Sequence, residues 1–163
     1  MIGITAKIVT VSLVSILSGY GNTAVAQIRQ NIASTGTNAT GKTSRSLRFE
    51  VKEQGDKTYL KIFGKPYIAV VETGRKATPQ YTKPSKSFVD EIREWVIARG
   101  KDPNAAYAIA KSIHQKGTPP TGKKIISNVI NDDLVARISK SILDTFAKFY
   151  ANNIITQYGR NGN

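Results

Sequence analysis

The apolar residues of this chain change period partway along, and that change constrains its fold more than any single residue does. Leu47, Phe49 and Val51 alternate with Arg48, Glu50 and Lys52, the period-two signature of a half-buried strand. From Phe88 onward the spacing becomes helical, with Phe88, Ile92, Trp95 and Val96 on one stripe. A chain that reads first as strands and then as helices points to an α+β fold rather than to alternating units around a parallel sheet.

Punctuation between the patterns supplies the remaining elements. Gln54-Gly55-Asp56 reads as a hairpin turn, after which Lys57–Phe63 forms a second strand with Leu60 and Ile62 on one face. Gly64-Lys65-Pro66 closes that strand, and the unbroken apolar middle of Tyr67–Glu72 predicts a third and most buried one. Residues 73–86 form a long basic loop carrying Arg75, Lys76, Lys83 and Lys86 around Tyr81, a natural place for a partner to bind. Ser87 then suits an N-cap, with Asp90 and Glu91 in the first turn and Gly100 past the end. Asp102-Pro103 starts another helix, placing Ala106, Ala110 and Ile113 on one face before Gly117-Thr118-Pro119-Pro120 stops it. A long final helix begins near Asn131, its stripe running Val135, Ile138, Ile142, Phe146, Phe149 and Tyr150. The expectation is a single domain over residues 1–163. It comprises a helical segment 1–33, an antiparallel sheet of about three to four strands within 45–72, the basic loop 73–86 and helices over 87–157.

The first segment supports two readings. Lys7 precedes an apolar run from Ile8 to Leu17, and Ala24-Val25-Ala26 has the small-x-small pattern of an export cleavage site. The run is short for a membrane span, so no membrane partner is expected. Its apolar residues also continue at helical spacing through Ile4, Ile8, Val11, Val25, Ile28 and Ile32, which favours a retained N-terminal helix, kinked or broken near Gly19, Gly21 and Asn22.

Charge narrows the partners. Twenty-four Lys and Arg against eleven Asp and Glu give a formal charge of +13, spread through the folded part of the sequence. Such a surface suits nucleic acid, acidic protein or anionic lipid. No base-reading motif accompanies it, so contact with DNA would be to phosphates and independent of sequence. The absence of cysteine excludes disulfides, thiolate metal sites and cysteine nucleophiles.

Three segments in the middle of the chain together resemble a known family. They are Ala39-Thr40-Gly41-Lys42-Thr43-Ser44-Arg45-Ser46-Leu47, then Tyr67-Ile68-Ala69-Val70-Val71-Glu72-Thr73-Gly74, then Tyr107-Ala108-Ile109-Ala110 closing on Gly117-Thr118-Pro119-Pro120. Over roughly residues 25–155 their order resembles the tail-completion (head–tail joining, or neck) proteins of long-tailed bacteriophages. The resemblance implies a non-enzymatic virion protein, assembled in the host cytoplasm. It would form a homo-oligomeric ring between portal–adaptor and tail-tube proteins, with basic side chains placed to face the DNA channel. The positions carried over are Gly41, Leu47, Tyr67, Gly74, Gly117 and Pro119 as structural points. Glu72, Arg75, Lys76, Tyr81, Lys83 and Lys86 are the contact candidates. The spacing from Gly41 to Leu47 is longer than the family's, and the leader and the loop after Gly74 also diverge.

Two rivals come from other motifs. The leader favours an exported basic protein acting at an envelope or on nucleic acid. Residues 36–43 match the phosphate-loop pattern G-x-x-x-x-G-K-[ST], in which Lys42 would meet phosphates and Thr43 magnesium. That chemistry needs a strand before the loop and a helix after it. Here a helical stripe precedes and an alternating strand follows, so nucleotide binding is not expected, nor any other cofactor or metal. His114 has no partner at catalytic spacing and suits the negative end of a helix beside Lys111 and Lys116.

Overall fold

The structure, a computed structural model, describes residues 2–37, 39–78 and 82–158, with side chains for 13–37, 39–78 and 82–151. Among these the chain is mixed helix and sheet: six helices and one two-stranded antiparallel sheet. The elements are α1 (Ile2–Ser34), α2 (Lys42–Arg45), β1 (Arg48–Gln54), β2 (Lys57–Phe63), α3 (Tyr67–Thr73), α4 (Lys86–Ala98), α5 (Ala106–Lys116) and α6 (Asp132–Tyr158), with a 3-10 turn at Pro103–Ala105 leading into α5. They fall into two compact units. The first combines Met1–Ala26, Phe49–Ile62 and Val129–Asn163; the second combines Gln27–Arg48 and Phe63–Asn128.

In the first unit α1 buries Leu17, Ala24 and Val25. The expected break near Gly19, Gly21 and Asn22 does not occur, and the helix is continuous. Gly21 is small for a packing reason: a Cβ there would meet the ring of Phe49 on β1. A glycine inside a helix weakens it without ending it, and here the missing side chain lets an aromatic ring reach the helix backbone. The hairpin β1–β2 turns at Gly55-Asp56 as the sequence indicates. No strand residue is fully buried, so the hairpin depends on its packing against α1 rather than on a sheet core. Helix α6 starts where expected, with Asn131 Oδ1 accepting from the Leu134 amide at 3.0 Å and Asp132 and Asp133 in the first turn. Tyr20 of α1 ties to it, donating to the Arg137 carbonyl at 2.9 Å and lying 2.7 Å from the Ser141 hydroxyl. The inward face of α6 is Leu134, Ile138, Ile142, Phe146 and Phe149, whereas Val135 and Tyr150 of the expected stripe point out.

The second unit has the deeper core: Ile28 and Ile32 from the end of α1, Leu47, Ile68 and Val71, Val96 of α4, Ala106 and Ala110 of α5, and Ile125. Asn31 Nδ2 donates to the Ile125 carbonyl at 3.0 Å, and Arg29 Nη2 to that of Leu47 at 2.8 Å.

The largest correction concerns Tyr67–Glu72, expected as a third strand, which is instead α3, so the sheet has two strands rather than three or four. Pro66 occupies the N-cap with φ −55°, already suited to a helix start and unable to donate to a ladder. Ile68 and Val71, three apart, then point into the core. A strand there would send Ile68 and Val71 to opposite faces.

Two smaller corrections follow the same logic. The N-cap of α4 is Ser85, whose Oγ accepts from the Phe88 amide at 3.3 Å, not Ser87. Asp90 and Glu91 therefore lie beyond the first turn, and Val89 joins Val96 on the buried face. In α5 the buried line is Ala106, Ala110 and His114, with His114 rather than Ile113 completing it.

Candidate functional site

The residues carrying the expected contacts gather, within the second unit, where the segment after α3 meets the end of α5. Gly74 (φ 74°, ψ −177°) ends α3 and Gly117 (φ 72°, ψ −165°) ends α5. Both occupy backbone space open essentially to glycine alone. Between them the chain makes an antiparallel bridge. The Arg75 amide donates to the Thr118 carbonyl and the Thr118 amide to the Arg75 carbonyl, both at 2.9 Å. Each glycine also permits a close approach. A Cβ on Gly74 would lie 2.5 Å from the Thr118 carbonyl oxygen, and one on Gly117 would strike the Arg75 carbonyl oxygen.

Further bonds tie the two segments together. Thr121 donates to the Val71 carbonyl through its amide at 3.1 Å and its hydroxyl at 2.7 Å. The Thr78 amide donates to the His114 carbonyl at 2.8 Å. The Thr82 hydroxyl lies 2.8 Å from His114 Nε2, so the sole histidine is buried and tied to the chain leading into α4. The start of the long loop is thus fixed to α5 by main-chain bonds.

The candidate side chains divide into engaged and free. Glu72 accepts from the amides of Ile126 and Ser127, the latter at 3.2 Å, which joins α3 to the approach to α6. The Arg75 guanidinium stands 4.8 Å from the centre of the Phe88 ring, a cation–π contact. Lys76, Lys83 and Lys86 are exposed and make no ion pair or hydrogen bond among the described residues. Tyr81 lies outside the described residues. Of the structural points, Gly74, Gly117 and Pro119 converge here, the Pro119 carbonyl carbon lying 3.0 Å from where a Gly74 Cβ would stand. Leu47 is buried, with Cδ2 3.0 Å from where a Gly64 Cβ would stand. Gly41 is the N-cap of α2 and Tyr67 stands exposed on α3.

Sequence reasoning missed Thr82 and Thr121 and held Thr118 only as part of the Gly117–Pro120 segment, because threonines in a polar stretch carry no signal of which carbonyl or ring they will meet. It also left Lys111 and Lys116 out of the basic set. Both are exposed on α5 and, like Lys83, without an ion pair or hydrogen bond among the described residues.

Charge is divided unequally. Sixteen Lys and Arg against five Asp and Glu give the second unit a formal +11, while the first carries eight against six, or +2. Three cations of the first unit are engaged: Lys52 with Glu50 at 3.7 Å, Lys140 with Asp144 at 3.5 Å, and Lys61 over the Tyr59 ring. The first unit also exposes apolar residues on one helix. Val135, Leu143 and Tyr150 of α6 are 60%, 68% and 58% exposed. At 100° per residue they fall within a quarter-turn of one another, beside the inward face.

The phosphate-loop match lacks the required frame. A helix (α1) precedes it, α2 has four residues, and β1 follows. Lys42 Nζ is 2.5 Å from a Glu94 carboxylate oxygen rather than free to meet a phosphate. Among the described residues no group of three or more His, Asp or Glu could hold a metal ion, and no helix is long and apolar enough to cross a membrane. Comparison with protein-family models, with curated proteins and with solved structures gave no match.

Proposed function

We propose that this chain is a virion structural protein of the neck, or tail-completion, type, whose copies associate into a ring joining head to tail. The observation that carries this reading is the second apolar face of α6. Val135, Leu143 and Tyr150 stay open on a helix whose opposite side is charged, which is what an element awaiting a neighbouring copy presents. The order of the three sequence segments supports it, and Gly74 and Gly117, from two of them, meet at one bridge. The contact candidates Arg75, Lys76, Lys83 and Lys86 are all cationic, so association between copies is assigned to the apolar face of α6. Work here is done by assembly, not by catalysis.

Native mass spectrometry of the full chain tests the reading, alongside its detection in purified virions. A multi-copy species that Leu143→Glu with Tyr150→Glu converts to monomer is the expected result. A chain that stays monomeric and does not co-purify with virions overturns it.

A further inference from the structure

We propose that β2 is a self-pairing edge: two copies of this chain join their β2 strands antiparallel about a two-fold axis at Leu60, making one four-stranded sheet from two hairpins. This is a second and weaker contact between copies than the one assigned to α6. It does not rest on the neck reading, since a two-fold contact closes on itself and builds no ring.

The hairpin sets which main-chain groups face outward. Two seven-residue strands flank a two-residue turn, so Gln54 and Lys57 exchange hydrogen bonds. The bonded pairs then continue as Lys52 with Tyr59, Glu50 with Lys61 and Arg48 with Phe63. The Arg48 guanidinium, 4.6 Å from the centre of the Phe63 ring, agrees with that register. The amides and carbonyls of Thr58, Leu60 and Ile62 therefore point away from β1. No other strand borders β2, and among the described residues these three make no hydrogen bond beyond the hairpin. Such an edge is a template for another strand. Leu60 and Ile62 are only half-buried, so the hairpin also has apolar surface left to cover.

Side chains decide what pairs there. Lys57, Tyr59 and Lys61 stand exposed on one face, with Thr58, Leu60 and Ile62 on the other. Lysines ordinarily keep an edge from pairing. With the axis at Leu60, Tyr59 falls opposite Lys61 of the second copy, Lys57 opposite Phe63, Thr58 opposite Ile62, and Leu60 opposite itself. Each lysine then meets an aromatic ring, as Lys61 already meets Tyr59 of its own strand at 5.6 Å. Sliding the pairing one step either way sets Lys57 opposite Lys61, or Lys61 opposite itself, and like charges directly opposite destabilise a pair. The β1 edge has no such register. Centred on Val51 it sets Phe49 opposite Glu53, and the neighbouring registers oppose Glu50 to Glu50 or Lys52 to Lys52.

One short strand from each copy makes a small contact, so the Kd is expected on the order of 100 μM. Native mass spectrometry at low micromolar concentration therefore reads the α6 contact alone. Sedimentation equilibrium of the full chain carrying Leu143→Glu and Tyr150→Glu, from about 10 μM to about 1 mM, reads β2 and should show monomer and dimer. Adding Tyr59→Lys sets lysine opposite lysine twice across the axis and should raise the Kd about tenfold, whereas Tyr59→Glu should lower it. The matched control Tyr107→Lys, at an exposed site on α5, should leave it within about twofold. Because the chain has no cysteine, single-cysteine variants report the register. Under mild oxidation Leu60→Cys should cross-link into a dimer, its Cα atoms about 5.5 Å apart across the axis. Tyr59→Cys, about 8 Å from its counterpart, should not. A chain that stays monomeric at the highest concentration, a dimer indifferent to Tyr59, or equal cross-linking at both positions overturns the proposal.

Discussion

The two units use their surfaces differently. The second is strongly basic with a deep core, and its exposed Lys76, Lys83 and Lys116 make no ion pair among the described residues. The first is nearly neutral and exposes apolar residues along α6. Long-range repulsion makes a +11 surface a poor place for copies of one chain to meet, whereas a neutral apolar face suits that role. The contrast is one of charge and of exposed apolar surface within one sequence.

The largest expected effect tests how differently the units tolerate change. Gly117→Ala forces a side chain into backbone space reserved for glycine and against the Arg75 carbonyl oxygen, and should cost about 2–4 kcal/mol in urea unfolding. Gly21→Ala in the first unit meets a side-chain ring that can shift, and sits in a helix that alanine favours. It should cost about 1 kcal/mol or less. Equal losses would mean that the junction is no more constrained than the packing of Phe49 on α1.

Core depth gives the next comparison. Val96→Ala removes two methyl groups from a fully buried site and should destabilise by about 1.5–3 kcal/mol. Leu143→Ala, at a 68% exposed site, should leave monomer stability within about 0.5 kcal/mol while weakening any multi-copy species seen by light scattering. Global destabilisation by Leu143→Ala would mean that the face of α6 is covered within the chain.

The smallest effect sharpens the charge argument. Lys42→Ala breaks an ion pair with Glu94 whose side chains are each 48% exposed, worth about 0.2–1 kcal/mol. Isothermal titration with magnesium and ATP should register no binding to either protein. Nucleotide binding abolished by the substitution would restore the phosphate-loop reading.

Local patterns made much of the fold legible. Alternation around Phe49 and the Gln54-Gly55-Asp56 turn placed the hairpin, and Gly100, Asp102-Pro103 and Asn131 placed helix ends. These features succeed because the turn or cap is specified by the residues that form it. Tyr67–Thr73 misled for the opposite reason. Ile68, Val70 and Val71 fit a strand by propensity, and only the core beside Leu47 and Gly64, with a proline at the start, selects the helix. Val135 and Tyr150 misled because period alone does not say which edge of an apolar stripe faces inward.

Of the candidate site, the sequence by itself determined the basic composition, the glycines and the order of the segments. It could not say that Gly74 would lie against Thr118, that Glu72 would be occupied by the amides of Ile126 and Ser127, or that the cations would concentrate in one unit. Those are distances between residues tens of positions apart. Turns and caps are fixed by neighbours in the chain, but the choice of which carbonyl, ring or carboxylate meets which donor is made only when the core closes and buried groups must find partners.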